Sequence, residues 1–369
     1  METSSGKEPT AFDTVSHEED SIHLEGKMLN TLSKRIGLVS VLAILAFGLG
    51  SAAEGSPADG MGLSFKLGGG LSYLFNGAGD IEKTRLGMQS YATDWVEPTY
   101  TSTFDWKQLT FLPDFRIEVL VNVGERFGIG LGTSYLGFTS KGEYSLDHDS
   151  SGTEWWGDWT YKYTNDYTVS YKLTAVPISL NFYYFFPLDG IRMYVYAGPS
   201  YYFGSLTYDL GLIYDEEYGE TPTFDWDFAY SYEGEQAYTE KTSCKGFGFQ
   251  GGFGLEIPLT PNLSFGIEAT GRFANLNNWK GDWTLSGSET YQQYYEPWGW
   301  PWYTFTTNYS DSGSGVLYYD EWQWWYNDKY YAEMFVDDAP PGGSGIRNAR
   351  QASINLNSVG ILVSILIHI

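Results

Sequence analysis

The chain has 369 residues, 18% of them aromatic, with 44 glycines, 31 tyrosines, 14 tryptophans and a formal net charge of −25. A charge of that sign and size excludes nucleic acid as a partner, because the phosphates would be repelled. The single cysteine, Cys244, excludes an intrachain disulfide and a cysteine metal cluster, and the four histidines make no ligand spacing, so no metal and no other cofactor is expected.

Residues 1–27 are polar and acidic without periodicity, and are expected to be disordered or to precede the true start of translation. Residues 28–53 read as a secretory signal peptide. Lys34 and Arg35 precede an apolar run of about fourteen residues, and Gly50-Ser51-Ala52-Ala53 supply a cleavage site after Ala53. The run falls short of the roughly twenty residues a helical span needs. Export is therefore expected, with residues 54–369 forming one β domain.

Within that domain eight segments alternate at period two, the repeat of a strand with two different environments. They are 62–75, 113–123, 127–138, 168–186, 191–203, 246–257, 263–273 and 353–369. In the first, Leu63, Phe65, Leu67, Leu71, Tyr73 and Phe75 share one face, while Ser64, Lys66, Gly68, Gly70 and Ser72 share the other. The fourth and fifth are joined by Pro187-Leu188-Asp189-Gly190, a tight hairpin link. Two segments carry an apparent break in parity. Leu173 and Ala175 oppose Ile178, Leu180 and Phe182, which suggests a bulge at Pro177. Ile354 and Leu356 oppose Ile361 and Val363, which suggests a switch at Asn357-Ser358.

The connections alternate strictly. Tight turns follow segments two, four and six, and long loops (76–112, 139–167, 204–245 and 274–352) follow the others. Short turns at one end, long loops at the other and an even strand number predict an all-β, eight-stranded antiparallel transmembrane barrel with long outer loops. The apolar face would meet lipid and the polar face would line the lumen. The strands avoid tryptophan and the loops hold all fourteen.

The segments Val176-Pro177-Ile178-Ser179-Leu180-Asn181-Phe182 and Tyr196-Ala197-Gly198-Pro199-Ser200-Tyr201 resemble strands of the small Gram-negative outer-membrane barrels of the OmpX/OmpA/OmpW-like superfamily. The resemblance implies a bacterial outer-membrane location, contact with outer-membrane lipid and lipopolysaccharide, and insertion by the barrel assembly machinery. The terminal signal departs from that pattern, with aliphatics and Ile369 where the family ends in an aromatic residue. No domain is expected after strand eight, so the anchoring role of two-domain members does not carry over.

Three candidate features remain. The expected lumen carries Lys66, Arg116, Glu118, Arg192, Glu256, Glu268 and Arg272, which should pair with one another, since unpaired charges in a narrow barrel are costly. This network reads as a plug, or as the lining of a selective pore. The last long loop gathers Trp298, Trp300, Trp302, Trp322, Trp324 and Trp325 with several carboxylates, a surface suited to an extracellular glycan or protein, or else the packing of a small outer lobe. Asp147-His148-Asp149 lacks a nominated serine, and no G-x-S-x-G occurs, so no catalytic residue is expected. The resulting expectation is a non-enzymatic, monomeric surface protein that binds, adheres or stabilises the envelope through its outer loops. The alternative is a small channel for small or apolar solutes.

Overall fold

The computed structural model describes residues 61–94, 100–155, 157–188, 190–222, 227–295, 303–324 and 328–369. The expected signal segment lies outside them. The strands are β1 (Met61–Leu74), β2 (Tyr100–Trp106), β3 (Phe111–Val123), β4 (Phe127–Glu154), β5 (Gly157–Leu188), β6 (Ile191–Pro222), β7 (Phe228–Thr260) and β8 (Leu263–Leu276). They continue with β9 (Lys280–Tyr295), β10 (Tyr303–Gln323), β11 (Tyr330–Asp337), β12 (Ile346–Gln351), β13 (Ile354–Asn355) and β14 (Ser358–His368), and β1 is followed by a short 3-10 helix (Phe75–Ala78) and an α-helix, α1 (Asp80–Asp94).

All pairings are antiparallel. β1 pairs with β3, and the ladder runs on through β4, β5, β6, β7, β8 and β14 before returning to β1. This closed circuit leaves those strands no free edge at that level. The other strands extend the sheet: β2 pairs with β4, β9 with the far half of β7, β10 with β9, and β11 and β12 with β10. The expectation of eight strands therefore undercounts a sheet of fourteen.

The expected long loops are corrected with it. Residues 139–167 and 204–245 belong mostly to β4, β5, β6 and β7, which run for 28, 32, 32 and 33 residues. The physical reason is an inversion of polarity along unbroken strands. Near the tight turns the outward side chains are apolar and exposed, such as Phe115, Phe127, Phe249 and Ile361, and the inward ones are polar. Farther along, outward positions are charged (Lys141, Glu143, Asp166, Lys172), while Tyr144, Leu146, Val169, Tyr171, Leu173 and Leu206 are buried inward. An apolar-out template recognises only the first regime.

The same inversion removes both expected parity breaks. Ala175 pairs with Gly204 and Phe182 with Ala197, one constant register through Pro177. Ile354 opposite Leu276 and Ser358 opposite Arg272 likewise share one register. Leu173, Ala175, Ile354 and Leu356 point inward because the interior there is apolar.

That apolar interior forms the main core. It includes Leu112, Leu136, Leu173, Leu206, Trp279, Leu317, Ile354 and Leu356. Each fully buried leucine contributes about 2 kcal/mol. An aromatic row crosses it: Trp106 stacks on Tyr171 (ring centroids 5.3 Å apart), Tyr171 on Tyr208 (4.6 Å), and Tyr238 joins Tyr208 to Trp283. Helix α1 closes it on one side and packs against β11. Ile81, Thr84, Met88, Tyr91 and Ala92 lie on its inner stripe at helical spacing. Asp80 and Glu82 in its first turn complement the helix dipole. Gly87 permits the close approach, since a Cβ there would stand 2.4 Å from the Ala332 carbonyl oxygen.

Candidate functional site

Inside the closed circuit, alternation delivers one charged or polar side chain every second residue. All seven charges expected on the lumen face point inward. At the tight-turn end, Arg192 Nη2 lies 2.5 Å from Glu256 Oε2. His368 Nε2 lies 3.1 Å from Glu256 Oε1, and its ring bonds Ser64 and Ser264 at 2.8 Å each. In the middle, Lys66 pairs with Glu268 and donates to Tyr194 Oη at 3.2 Å. Arg116 Nη1 donates to Tyr196 Oη at 2.8 Å and to Glu268 Oε2 at 3.4 Å. Glu118 accepts from Asn181 Nδ2 at 2.8 Å and from Tyr183 Oη at 2.6 Å. Nearest the apolar core, Arg272 pairs with Asp114 and donates to Ser72 Oγ at 3.0 Å.

Sequence reasoning missed Asp114 and His368. Asp114 shares the parity of Arg116 and Glu118, which was the available signal. With it, four cations (Lys66, Arg116, Arg192, Arg272) face four carboxylates (Asp114, Glu118, Glu256, Glu268). Lys66, Arg116, Glu118, Glu268 and Arg272 are at most 3% exposed.

Of the expected tryptophan surface, Trp298, Trp300, Trp302 and Trp325 lie outside the described residues. Trp322 and Trp324 pack edge to face (5.4 Å) around Tyr91 of α1, with Tyr331 alongside Trp322. The fold also brings together an acidic trio, Glu240, Asp320 and Glu333. Glu240 accepts from Tyr238 Oη and from the Val336 amide, both at 2.6 Å. Asp320 and Glu333 face each other across β10 and β11. Burial pushes Glu240 and Glu333 up to about 7, the Asp320 charge adding to the shift at Glu333, and burial pushes Asp320 up to about 6.

Beyond the core, the same inward face of β6, β7, β9 and β10 continues as a half-buried tyrosine array. Tyr218 stacks on Tyr230 (5.3 Å), Tyr214 lies 5.2 Å from Tyr232, and Tyr230 lies 6.0 Å from Tyr291. Carboxylates are threaded through it. Tyr230 Oη donates to Glu216 at 2.9 Å, Tyr218 donates to Glu220, and Glu289 lies beside Tyr214, Tyr232 and Tyr309. Sequence reasoning treated this stretch as loop and nominated none of these residues. The Tyr-x-Glu-x-Tyr-x-Glu alternation at 214–220 was the signal that could have found them.

His148 Nε2 lies 2.9 Å from Ser150 Oγ on β4, a serine partner the sequence reading did not nominate. Strand alternation puts Asp147 and Asp149 on the opposite face from His148. Among the described residues no group of three or more His, Cys, Asp or Glu side chains could hold a metal ion.

No curated protein matches this chain. Among solved structures it is similar to the outer membrane protease OmpT from Escherichia coli, at 7% identity and a TM-score of 0.23, over 85% of this chain and 98% of that one. It is also similar to a Pseudomonas aeruginosa FadL homologue, at 11% identity and a TM-score of 0.15, over 86% of this chain and 93% of that one. Neither likeness carries the activity of those proteins to this chain. The family model described as the outer membrane protein beta-barrel domain matches residues 39–289. That is more than half of the chain, and together with the closed antiparallel circuit it shows that the protein belongs to the family of outer membrane β-barrel domains, whose place is the bacterial outer membrane.

Proposed function

We propose that the eight strands of the closed circuit cross the outer membrane as a sealed barrel, and that the protein works on the outer side as a non-enzymatic binding protein. The observation that carries this reading is the burial of the interior charges, at most 3% exposed for Lys66, Arg116, Glu118, Glu268 and Arg272. A water-filled passage would hydrate these groups. Instead each is held by an opposite charge or a tyrosine hydroxyl, and an apolar core stands between them and the outer sheet. Eight strands enclose little more than their own side chains, which agrees with a plug. The outward apolar band then meets lipid and lipopolysaccharide, insertion falls to the barrel assembly machinery, and the closed circuit needs no second subunit. The extended outer sheet is left as the surface for an extracellular ligand.

Single-channel recording on the purified protein in planar bilayers tests this. A silent bilayer with a folded, heat-modifiable barrel is the expected result. Discrete openings whose conductance changes in Arg116→Ala or Glu268→Ala would move the function to passage of small solutes.

A further inference from the structure

The tyrosine array on the inward face of β6, β7, β9 and β10 has a charge pattern of its own. Glu216, Glu220 and Glu289 stand among Tyr214, Tyr218, Tyr230, Tyr232, Tyr291 and Tyr309, and Glu216 and Glu220 each accept a hydrogen bond from a tyrosine hydroxyl. Among the described residues, no lysine or arginine occupies this face of these four strands beyond Glu240. The opposite face of β6 and β7 adds Asp215, Glu217, Glu233 and Glu235. Surface carboxylates of a folded protein are ordinarily interspersed with cations, so this face carries a negative potential that nothing on it offsets.

The spacing narrows the ligand. Glu216 and Glu220 are four residues apart on one strand, about 13 Å at the usual strand rise. Glu289 lies two strands over and two residues along from Glu216, about 12 Å by the same rise and the usual strand spacing. Tyrosine rings fill the intervals. A compact metal ion could satisfy one carboxylate but would leave the rings unused. An aliphatic chain with cationic nitrogens at intervals uses both: ammonium groups meet carboxylates and ring faces, and methylenes lie along the rings.

We propose that this face binds a linear aliphatic polyamine, with its ammonium groups on Glu216, Glu220 and Glu289 and its methylene links over the tyrosine rings between them. The proposal rests on the reading of the outer sheet as a binding surface, and it names the ligand class.

The test is calorimetric titration of spermidine into the protein extracted from outer membranes in detergent. Magnesium chloride at matched charge serves as the control for general attraction to a chain of net charge −25. Saturable spermidine binding that magnesium does not match is expected. Glu216→Gln with Glu289→Gln should weaken it at least tenfold, and Tyr230→Leu should weaken it severalfold, each with heat modifiability unchanged. Equal binding of magnesium, or spermidine binding indifferent to these substitutions, would overturn the proposal, as would no binding at all. The two readings fail separately. Absent polyamine binding with a silent bilayer rejects the ligand class alone, whereas conductance through the barrel rejects the sealed-barrel reading whatever the titration gives.

Discussion

Arg272 on β8 reaches Asp114 on β3 across the inside of the ring, and both side chains are wholly shielded from solvent. Removing one member of such a pair strands the other as a buried charge, which costs about 3–5 kcal/mol, whereas replacing both by apolar groups of similar size costs far less. Asp114→Ala should therefore lower the urea midpoint of the detergent-folded protein sharply. The double variant Asp114→Leu with Arg272→Met should recover most of the loss. A double variant no better than the single one would mean that the pair acts through more than its charge balance.

The helix is fastened separately from the barrel. Asp80 receives both terminal nitrogens of Arg350 at 2.6 Å and the Ser353 amide at 2.7 Å, with Lys83 Nζ at 3.3 Å. Asp80→Ala removes these charge-assisted bonds, a local loss on the order of 2–3 kcal/mol. Trypsin is expected to cut at Lys83 and Arg85 in the variant while the heat-modifiable band persists. Loss of that band instead would show that α1 is needed for the barrel itself.

Acid should strengthen the outer lobe. Glu240 and Glu333 are raised to about 7 by burial, above their ordinary carboxylate range. The folded lobe therefore holds more protons than the unfolded chain between about pH 4.5 and 7, and stability falls as pH rises through that window. Their contribution is fully present below the ordinary range and is lost as pH passes 7. Protection factors of the α1 and β11 amides, with the intrinsic pH dependence of exchange divided out, should be higher at pH 5 than at pH 8. Glu240→Gln should flatten the difference, and an unchanged pH profile in that variant would refute the assignment.

Close strand contact at one glycine can be tested by a single methyl group. A Cβ at Gly198 would sit 1.8 Å from the Leu180 carbonyl oxygen and 2.9 Å from the Asn181 Cα, where only backbone could yield. Gly198→Ala is expected to cut the yield of folded barrel severalfold on a semi-native gel. Ser364→Ala, which removes a buried hydroxyl that has no hydrogen-bond partner among the described residues, should fold as the parent does.

How far the architecture could be read depended on polarity. In the part that faces lipid, Leu67, Phe115, Ile129 and Phe253 alternate with Lys66, Arg116, Gly130 and Gly252, and period, faces and interior charges all followed from that contrast. In the outer part the alternation persists with its sign reversed, as at Tyr214, Glu216 and Tyr218 against Asp215 and Glu217, where inner and outer positions are both polar or amphipathic. Hydropathy contrast vanishes there, and tyrosine reads as loop. Helix α1 was hidden because Thr84 and Gly87 on its buried stripe weaken the apolar signal, their positions being set by β11. The acidic trio could not be read at all, because β7, β10 and β11 bring Glu240, Asp320 and Glu333 together from separations of up to 93 residues (333 minus 240).

The reversal of polarity along β4 to β7 constrains how these strands can be aligned. A slip of one residue would turn apolar side chains away from lipid at one end of a strand and turn charged ones into a dry core at the other. Two unrelated solvents thus vet the same register, each over its own half of the strand. A misaligned ladder has no compensating half in which to hide, so a hairpin of some thirty residues a side keeps a single alignment without a disulfide or a bulge to pin it.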